Sequence, residues 1–326
     1  MTVPDEVRMI HGDDILQWLY HPDGVGTEPT NSPVTTALAL CSARQSPQKR
    51  KNKLNIKYMK ILIIGAGNMG LTYAKGFLRS HIVNKEGIMI LEKSVDKEES
   101  LRDLGFENIY FTPGEYIKNA DLVILAVKPQ NTQELFESIK EYIGSDQVVL
   151  SIMAGVKMST ISECLGVNKI IRAMPNLASQ IGQSMTVFTS TDDVTRIELV
   201  MVQNLINTTG KSIYTGEENM LDAATAISGS GPAYVLFFMD ALYEAAKDMG
   251  FAPSEAGLLV TQTFKGTIDL YNRSNYSAKE WIQKVASKGG TTEAALNSFE
   301  SCGLQENIKE GAISALKRAI ELSEVK

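Results

Sequence analysis

Few of the usual reactive side chains are available for chemistry in this chain. Its 326 residues include three histidines and three cysteines. His11 and His21 lie in an N-terminal stretch of distinct composition, leaving His81 alone in the remainder. That argues against a histidine-based triad or a multi-histidine metal site. Cys41, Cys164 and Cys302 are too scattered for a zinc site or a disulfide framework. What remains is a set of glycine-rich turns, hydroxyls, amides and lysines, which bind and orient ligands. The clearest is Gly65-Ala66-Gly67-Asn68-Met69-Gly70, a GxGxxG pattern between an apolar run and a helical stretch. In that context the first glycine permits the turn, the second admits a pyrophosphate against the backbone, and the third lets helix and strand pack closely. The helix N-terminus then offers N–H groups and partial positive charge to phosphates.

Two further segments extend this dinucleotide site. Glu92 closes the second apolar run, 22 residues after Gly70, where an acid binds the adenosine ribose hydroxyls and favours NAD. Lys93, Ser94 and Lys97 follow and could instead hold a 2′-phosphate, so the residues leave NAD and NADP both open. Ala126-Val127-Lys128-Pro129-Gln130 ends a third apolar run. Ligands of open α/β sheets sit beyond such carboxyl ends, so Lys128 is placed to meet phosphate or ribose or stands as an exposed loop charge. Pro129 stops the ladder and stiffens the exit.

Three segments form a second group. Arg172-Ala173-Met174-Pro175-Asn176 again ends an apolar run with proline and a polar side chain. Ser228-Gly229-Ser230-Gly231-Pro232-Ala233-Tyr234 is a turn leading into a long apolar helix. Ser287-Lys288-Gly289-Gly290-Thr291-Thr292-Glu293 opens another helix, so free N–H groups and two hydroxyls converge on a carboxylate or phosphate site. The same residues could equally be an ordinary N-cap made by Thr291 or Thr292.

These segments need elements to carry them. Apolar runs at 61–64, 87–91, 121–127, 147–152 and 169–174 alternate with helical stretches at 68–79, 95–104, 131–142 and 157–165. Alternation of this kind predicts a parallel sheet covered on both faces. Later strands are expected at 184–189 and 211–215, flanking a helix at 193–206. After about residue 216 only helical periodicity remains, at 231–249, 254–271, 278–287, 291–300 and 304–321. The 231–249 helix is apolar nearly all round and must be covered on every side. About a hundred helical residues struggle to do so, and a homo-oligomeric interface is the expected cover; burial against the chain's own sheet is the alternative. The expected fold is therefore an α/β Rossmann-type N-terminal domain followed by an all-α C-terminal dimerisation domain. Its boundaries are 1–58 for a flexible extension, 59–218 for the dinucleotide-binding domain and 219–326 for the helical dimerisation and substrate domain.

Residues 1–58 hold five of the ten prolines and end in the basic run Lys49-Arg50-Lys51-Asn52-Lys53. Their acidic start lacks the apolar core of a secretory signal. The whole chain has 44% hydrophobic and 21% charged residues and a net charge of -6, so wholesale disorder and a nucleic-acid partner are not expected. No apolar run reaches the 18 or so residues of a membrane span. A cytoplasmic location and a small-molecule substrate are the resulting expectations.

The motifs GAGNMG (65–70), AVKPQ (126–130), RAMPN (172–176), SGSGPAY (228–234) and SKGGTTEAAL (287–296) together resemble the pyrroline-5-carboxylate reductases. The resemblance runs from Met59 to about Leu322, and the last motif is its most specific. It implies hydride transfer from NADPH or NADH to the C=N carbon of Δ1-pyrroline-5-carboxylate, giving L-proline. It also implies a helical domain interleaved with a partner's, and rings of dimers in many relatives. By position, Gly65, Gly67, Asn68, Met69 and Gly70 would form the cofactor turn. Ala126, Lys128 and Pro129 would line the nicotinamide-ribose end, and Asn176 would sit beside the nicotinamide. Ser287 and the N–H groups of Gly290 and Thr291 would hold the substrate carboxylate, and the Thr292 hydroxyl, the candidate catalytic group, would face the imine nitrogen. The chain departs from the family at Leu177-Ala178, where Thr-Pro is usual, and at Lys288, where proline is usual; residues 1–58 have no counterpart. Two rivals are a β-hydroxyacid dehydrogenase and a non-catalytic nucleotide-binding module. The first needs a lysine within the long helix, and Ser228 to Ala246 contains none. The second has no use for the Ser287–Thr292 cluster.

Overall fold

The first apolar run, Ile61-Leu62-Ile63-Ile64, is strand β1 (Ile61–Ile64), buried at every position. Continuous apolar runs of this kind are the mark of strands covered on both faces. The computed structural model describes residues 59–324, so the N-terminal extension of the sequence reading lies outside the described residues. Around β1 stand β2 (Ile88–Leu91), β3 (Asn108–Tyr110), β4 (Leu122–Leu125), β5 (Val148–Ser151), β6 (Ile170–Met174), β7 (Ser184–Ser190) and β8 (Gly210–Tyr214). They form one sheet in the order β3-β2-β1-β4-β5-β6-β7-β8.

Because side chains alternate across a strand, β1 divides between two cores. Ile61 and Ile63 face α1 (Asn68–Ser80) and α5 (Arg196–Ile206), packing with Tyr73, Phe77, Met201 and Leu205. Leu62 and Ile64 face α3 (Thr132–Ile139) and α4 (Met158–Leu165), packing with Phe136, Ile139, Ile161 and Leu165. Each such side chain contributes roughly 1.5–3 kcal/mol on burial. The short α2 (Glu98–Asp103) completes the β2–β3 crossover.

The five strands expected from the alternating pattern, β1, β2, β4, β5 and β6, run parallel, whereas the sequence assigns no direction to β7. β6 and β7 run antiparallel, with Arg172 opposite Thr189. The nine residues between them hold only a single 3-10 turn, Leu177–Ile181. A parallel return needs a crossover of a dozen residues or more. β3 was not expected at all; three partly buried residues carry too little pattern to be read as a strand.

Past β8 the chain is helical: α6 (Met220–Ala224), α7 (Gly231–Asp248), α8 (Pro253–Asn272), α9 (Ala278–Val285), α10 (Thr291–Ser301) and α11 (Leu304–Glu324). One buried cation ties this part to the sheet. The Arg172 guanidinium, 3% exposed on β6, meets Glu218 at 2.9 Å and Asp222 at 3.5 Å. Glu218 also accepts the Met158 N–H at the start of α4, at 2.8 Å. The last turn of α11 returns to the same place, where the Ser323 hydroxyl, donating to the Ile320 carbonyl at 2.8 Å, lies 3.4 Å from Asp222. Removing either acid leaves Arg172 paired with the other, whereas removing both would leave its buried charge uncompensated.

Candidate active site

The glycine turn begins where β1 ends. Gly65 lies at φ +97°, and a Cβ there would come within 2.9 Å of the Ala126 carbonyl. A Cβ on Gly70 would lie against the Gly65 carbonyl, so these two glycines are demanded by the chain itself. Gly67 differs. Its φ of -76° suits any residue, and a Cβ there would meet no protein atom within 4 Å. Nothing among the described residues requires glycine at 67, whereas a ligand lying on the backbone does. Among the described residues no side chain caps α1, and its first turn carries no acid, so its amides are left to an anion. The residues present fit a dinucleotide.

A cleft of about 460 Å³ opens along the carboxyl ends of β1, β2 and β4. It brings together Gly65, Gly67, Glu92, Lys93, Ala126 and Lys128 of the sequence-derived cofactor set. Asn68, Met69, Gly70 and Pro129 adjoin these in sequence at the first turns of their helices. Phe111 and Pro113 also line the cleft. They follow β3 and went unread together with that strand.

Glu92 is 7% exposed, and its carboxylate is already well occupied. It accepts the Ala66 N–H at 2.9 Å, the Ser94 N–H at 3.1 Å and the Lys97 ammonium at 2.9 Å. Burial pushes this carboxyl up, but Lys97 and the two amides outweigh it and hold the pKa below the ordinary carboxylate value. Glu92 therefore stitches the second strand to the glycine turn. Lys93 pairs with Glu134 across the cleft at 2.7 Å.

Asn176 stands at the carboxyl end of β6. Its side chain accepts the Ala178 N–H at 3.1 Å and donates to the Ser228 hydroxyl at 3.1 Å. Proline at 178 would have no N–H to give. The departure from the family's Thr-Pro thus supplies a hydrogen bond.

The hydroxyl-rich cluster lies on the helical part and contributes nothing to the cleft lining. Gly290 is the N-cap of α10, and neither Thr291 nor Thr292 caps that helix. The Gly290 N–H is taken by the Ser287 carbonyl at 3.0 Å, closing the turn. Glu293 accepts the Gly289 N–H at 2.6 Å. The first-turn amides of Thr291 and Thr292 follow with no capping side chain, and Ser287 and Thr291 are exposed. Within one chain the two halves of the expected site are thus assembled separately.

A doubly wound sheet with an anion-binding glycine turn, carrying a helical extension, defines the class: a Rossmann-type, NAD(P)-dependent oxidoreductase with a C-terminal dimerisation domain. Residues 60–155 match the family model for NADP oxidoreductase, coenzyme F420-dependent, and residues 218–322 match that for pyrroline-5-carboxylate reductase dimerisation. The chain is 34% identical to pyrroline-5-carboxylate reductase 2 of Bacillus subtilis over 273 residues, 81% of this chain and 95% of that one. It is 29% identical to the pyrroline-5-carboxylate reductase of Arabidopsis thaliana, over 81% of this chain and 96% of that one. Among solved structures it is similar to the enzyme of Coxiella burnetii, with TM-score 0.76, 31% identity and coverage of 82% and 99%. It is also similar to the NADP-bound enzyme of Plasmodium falciparum, with TM-score 0.75, 26% identity and coverage of 82% and 100%. The chain belongs to the pyrroline-5-carboxylate reductase family.

Helix α7 has no buried residue in the single chain, and Phe237 is 74% exposed. That removes burial against the chain's own sheet as its cover. With the dimerisation match, the chain is a homo-oligomer. No helix among the described residues is long and apolar enough to cross a membrane.

Proposed function

We propose that this chain reduces Δ1-pyrroline-5-carboxylate to L-proline, with the cofactor in the cleft of the sheet domain and the substrate held by the Ser287–Thr292 turn. The observation that carries the reading is Gly67, a glycine with no conformational or steric need among the described residues. When bound, a reduced nicotinamide would supply the hydride for the C=N carbon. The chain's own residues do the rest. The Gly67 backbone and the α1 amides hold the pyrophosphate, while Lys128 and Pro129 border the ribose. Asn176 orients the nicotinamide. Ser287 and the Thr291 amide take the substrate carboxylate; the Gly290 amide, already bonded to Ser287, shapes the turn and must lengthen that bond to join them. The Thr292 hydroxyl faces the imine nitrogen. The substrate arrives protonated, so no strong acid or base is required and alignment is the main task.

The site is completed across the dimer, the cofactor half of one copy facing the helical half of its partner. The division at 218/219 separates these two tasks, and further assembly is a ring of dimers in the cytoplasm. Mixing purified protein with pyrroline-5-carboxylate and following reduced-nicotinamide absorbance tests the reaction. Consumption with NADPH or NADH is expected, and the ratio of rates reports how the occupied Glu92 and its neighbouring lysines discriminate. Cofactor binding without consumption would reject the reading in favour of a nucleotide-binding module.

A further inference from the structure

We propose that Ser228 is a positioning residue for hydride transfer, acting through the Asn176 side chain; this rests on the reading above that Asn176 borders the nicotinamide. Residues Thr225–Gly229 form a π-helical turn between α6 and α7. Such turns insert one residue into a helix and are frequent at functional sites. The turn is closed by the Ser230 N–H donating to the Thr225 carbonyl at 2.9 Å. The Tyr234 phenol pins it by donating to the Ala226 carbonyl at 3.0 Å. Gly229 brings it close to β6: a Cβ there would lie 2.9 Å from the Met174 methyl. The result is to deliver Ser228 to a residue 52 positions away in sequence.

The direction of every bond in this relay is determined. The Met185 carbonyl on β7 can only accept, so the Ser228 hydroxyl donates its single proton there, at 3.1 Å. Its lone pairs are left to accept from Asn176 Nδ2 at 3.1 Å. At the other end of the amide, Oδ1 accepts the Ala178 N–H. The Asn176 backbone is held as well: its N–H donates to Ser184 Oγ at 3.1 Å and its carbonyl accepts the Ser179 hydroxyl at 2.6 Å. An amide has two donor hydrogens and two acceptor sites. Among the described residues one N–H and one lone pair therefore have no partner, on a group that cannot flip without losing two hydrogen bonds. Nothing else in the proposed reaction uses Ser228. Its removal would let the amide rotate, and small misplacements at a reacting centre cost rate out of proportion to the bond lost.

A double-mutant cycle tests this on the full-length chain, with Ser228→Ala, Asn176→Ala, the double variant and Ser228→Thr. The readouts are kcat, KM for pyrroline-5-carboxylate, NADPH Kd by fluorescence and Tm. Ser228→Ala should lower kcat about tenfold, with NADPH Kd and KM within threefold of wild type. Ser228→Thr, which keeps the hydroxyl, should recover most of the loss. In the Asn176→Ala background, Ser228→Ala should cost nothing further, since the two act as one unit. An equal loss in both backgrounds would overturn the relay and mark Ser228 as a purely structural residue, as would a fall in Tm that accounts for the loss. Asn176→Ala slow with Ser228→Ala normal would overturn the relay while leaving the reading of Asn176 intact. Asn176→Ala as fast as wild type would overturn both.

Discussion

The sheet half and the helical half of this chain are built on opposite plans. In the sheet half every residue of β1, β2, β4 and β5 is buried, and two cores close around them inside one copy. In the helical half, α7, α9 and α10 bury nothing, while Leu236 and Phe237 stand 59% and 74% exposed. The two halves are comparably apolar in sequence. They differ in whether the chain itself can supply a second surface. A sheet with helices on both faces is a complete layered unit, whereas a few long helices expose too much surface to close alone. The sheet half therefore closes its core within one copy, and the helical half leaves its apolar faces to be covered in an assembly.

The largest expected effect is on that asymmetry. Phe237→Asp places a charge in the uncovered face of α7 and should convert the oligomer to monomer by light scattering. Turnover should fall more than a hundredfold while NADPH still binds to the sheet half. A monomer with full activity would show that one chain completes the site alone. Next in size, Thr292→Ala should cut turnover tenfold or more, on the order of 1.4 kcal/mol in transition-state stabilisation, with cofactor affinity unchanged. Wild-type kinetics in that variant would remove Thr292 from the mechanism.

Two smaller effects sharpen the description of the cofactor half. A Cβ at 67 meets no atom of the described residues within 4 Å, so in Gly67→Ala Tm should hold within about 2 °C while NADPH Kd rises about tenfold. An unchanged Kd would mean that no ligand lies on that backbone. The smallest effect concerns Lys97 and Glu92. A carboxyl whose folded pKa is depressed contributes stability above its unfolded value of about 4.3, and loses it as pH falls through the folded value. Lys97 is 42% exposed, so its share is screened to about 1 kcal/mol or less. Wild type should therefore exceed Lys97→Met in Tm at pH 7 by a few degrees, and the gap should close as the pH is lowered toward 3. A gap that persists unchanged at pH 3 would assign Lys97 a packing role instead.

Much of this was written in local patterns. Short apolar runs, the glycine turn and the prolines at strand ends depend on neighbours within a few residues, so the alternating elements and the cofactor turn were legible directly. The SKGGTT segment was legible as a helix start, because an N-cap turn is a local construction. Other features have no local trace. The antiparallel β7 follows from the length of one loop acting on the whole sheet. The occupancy of Glu92 depends on Lys97 folding back from the start of the next crossover. Asn176 and Ser228 were both readable as parts of motifs, yet their bond joins segments 52 residues apart through a π-turn that no residue pattern announces.

The sequence by itself determined the class of fold, the glycine turn after the first strand and the need for a second copy, because each rests on periodicity, a turn or an excess of apolar helix surface. Only the tertiary structure decided which polar groups are already taken and which stay free: Glu92 tied to three donors, the Gly290 amide closed on Ser287, and the Asn176 amide held between Ala178 and Ser228. The physical reason is that a hydrogen bond reads distance and direction in space. Those are set by how distant segments pack, whereas the propensities that form each segment are set along the chain.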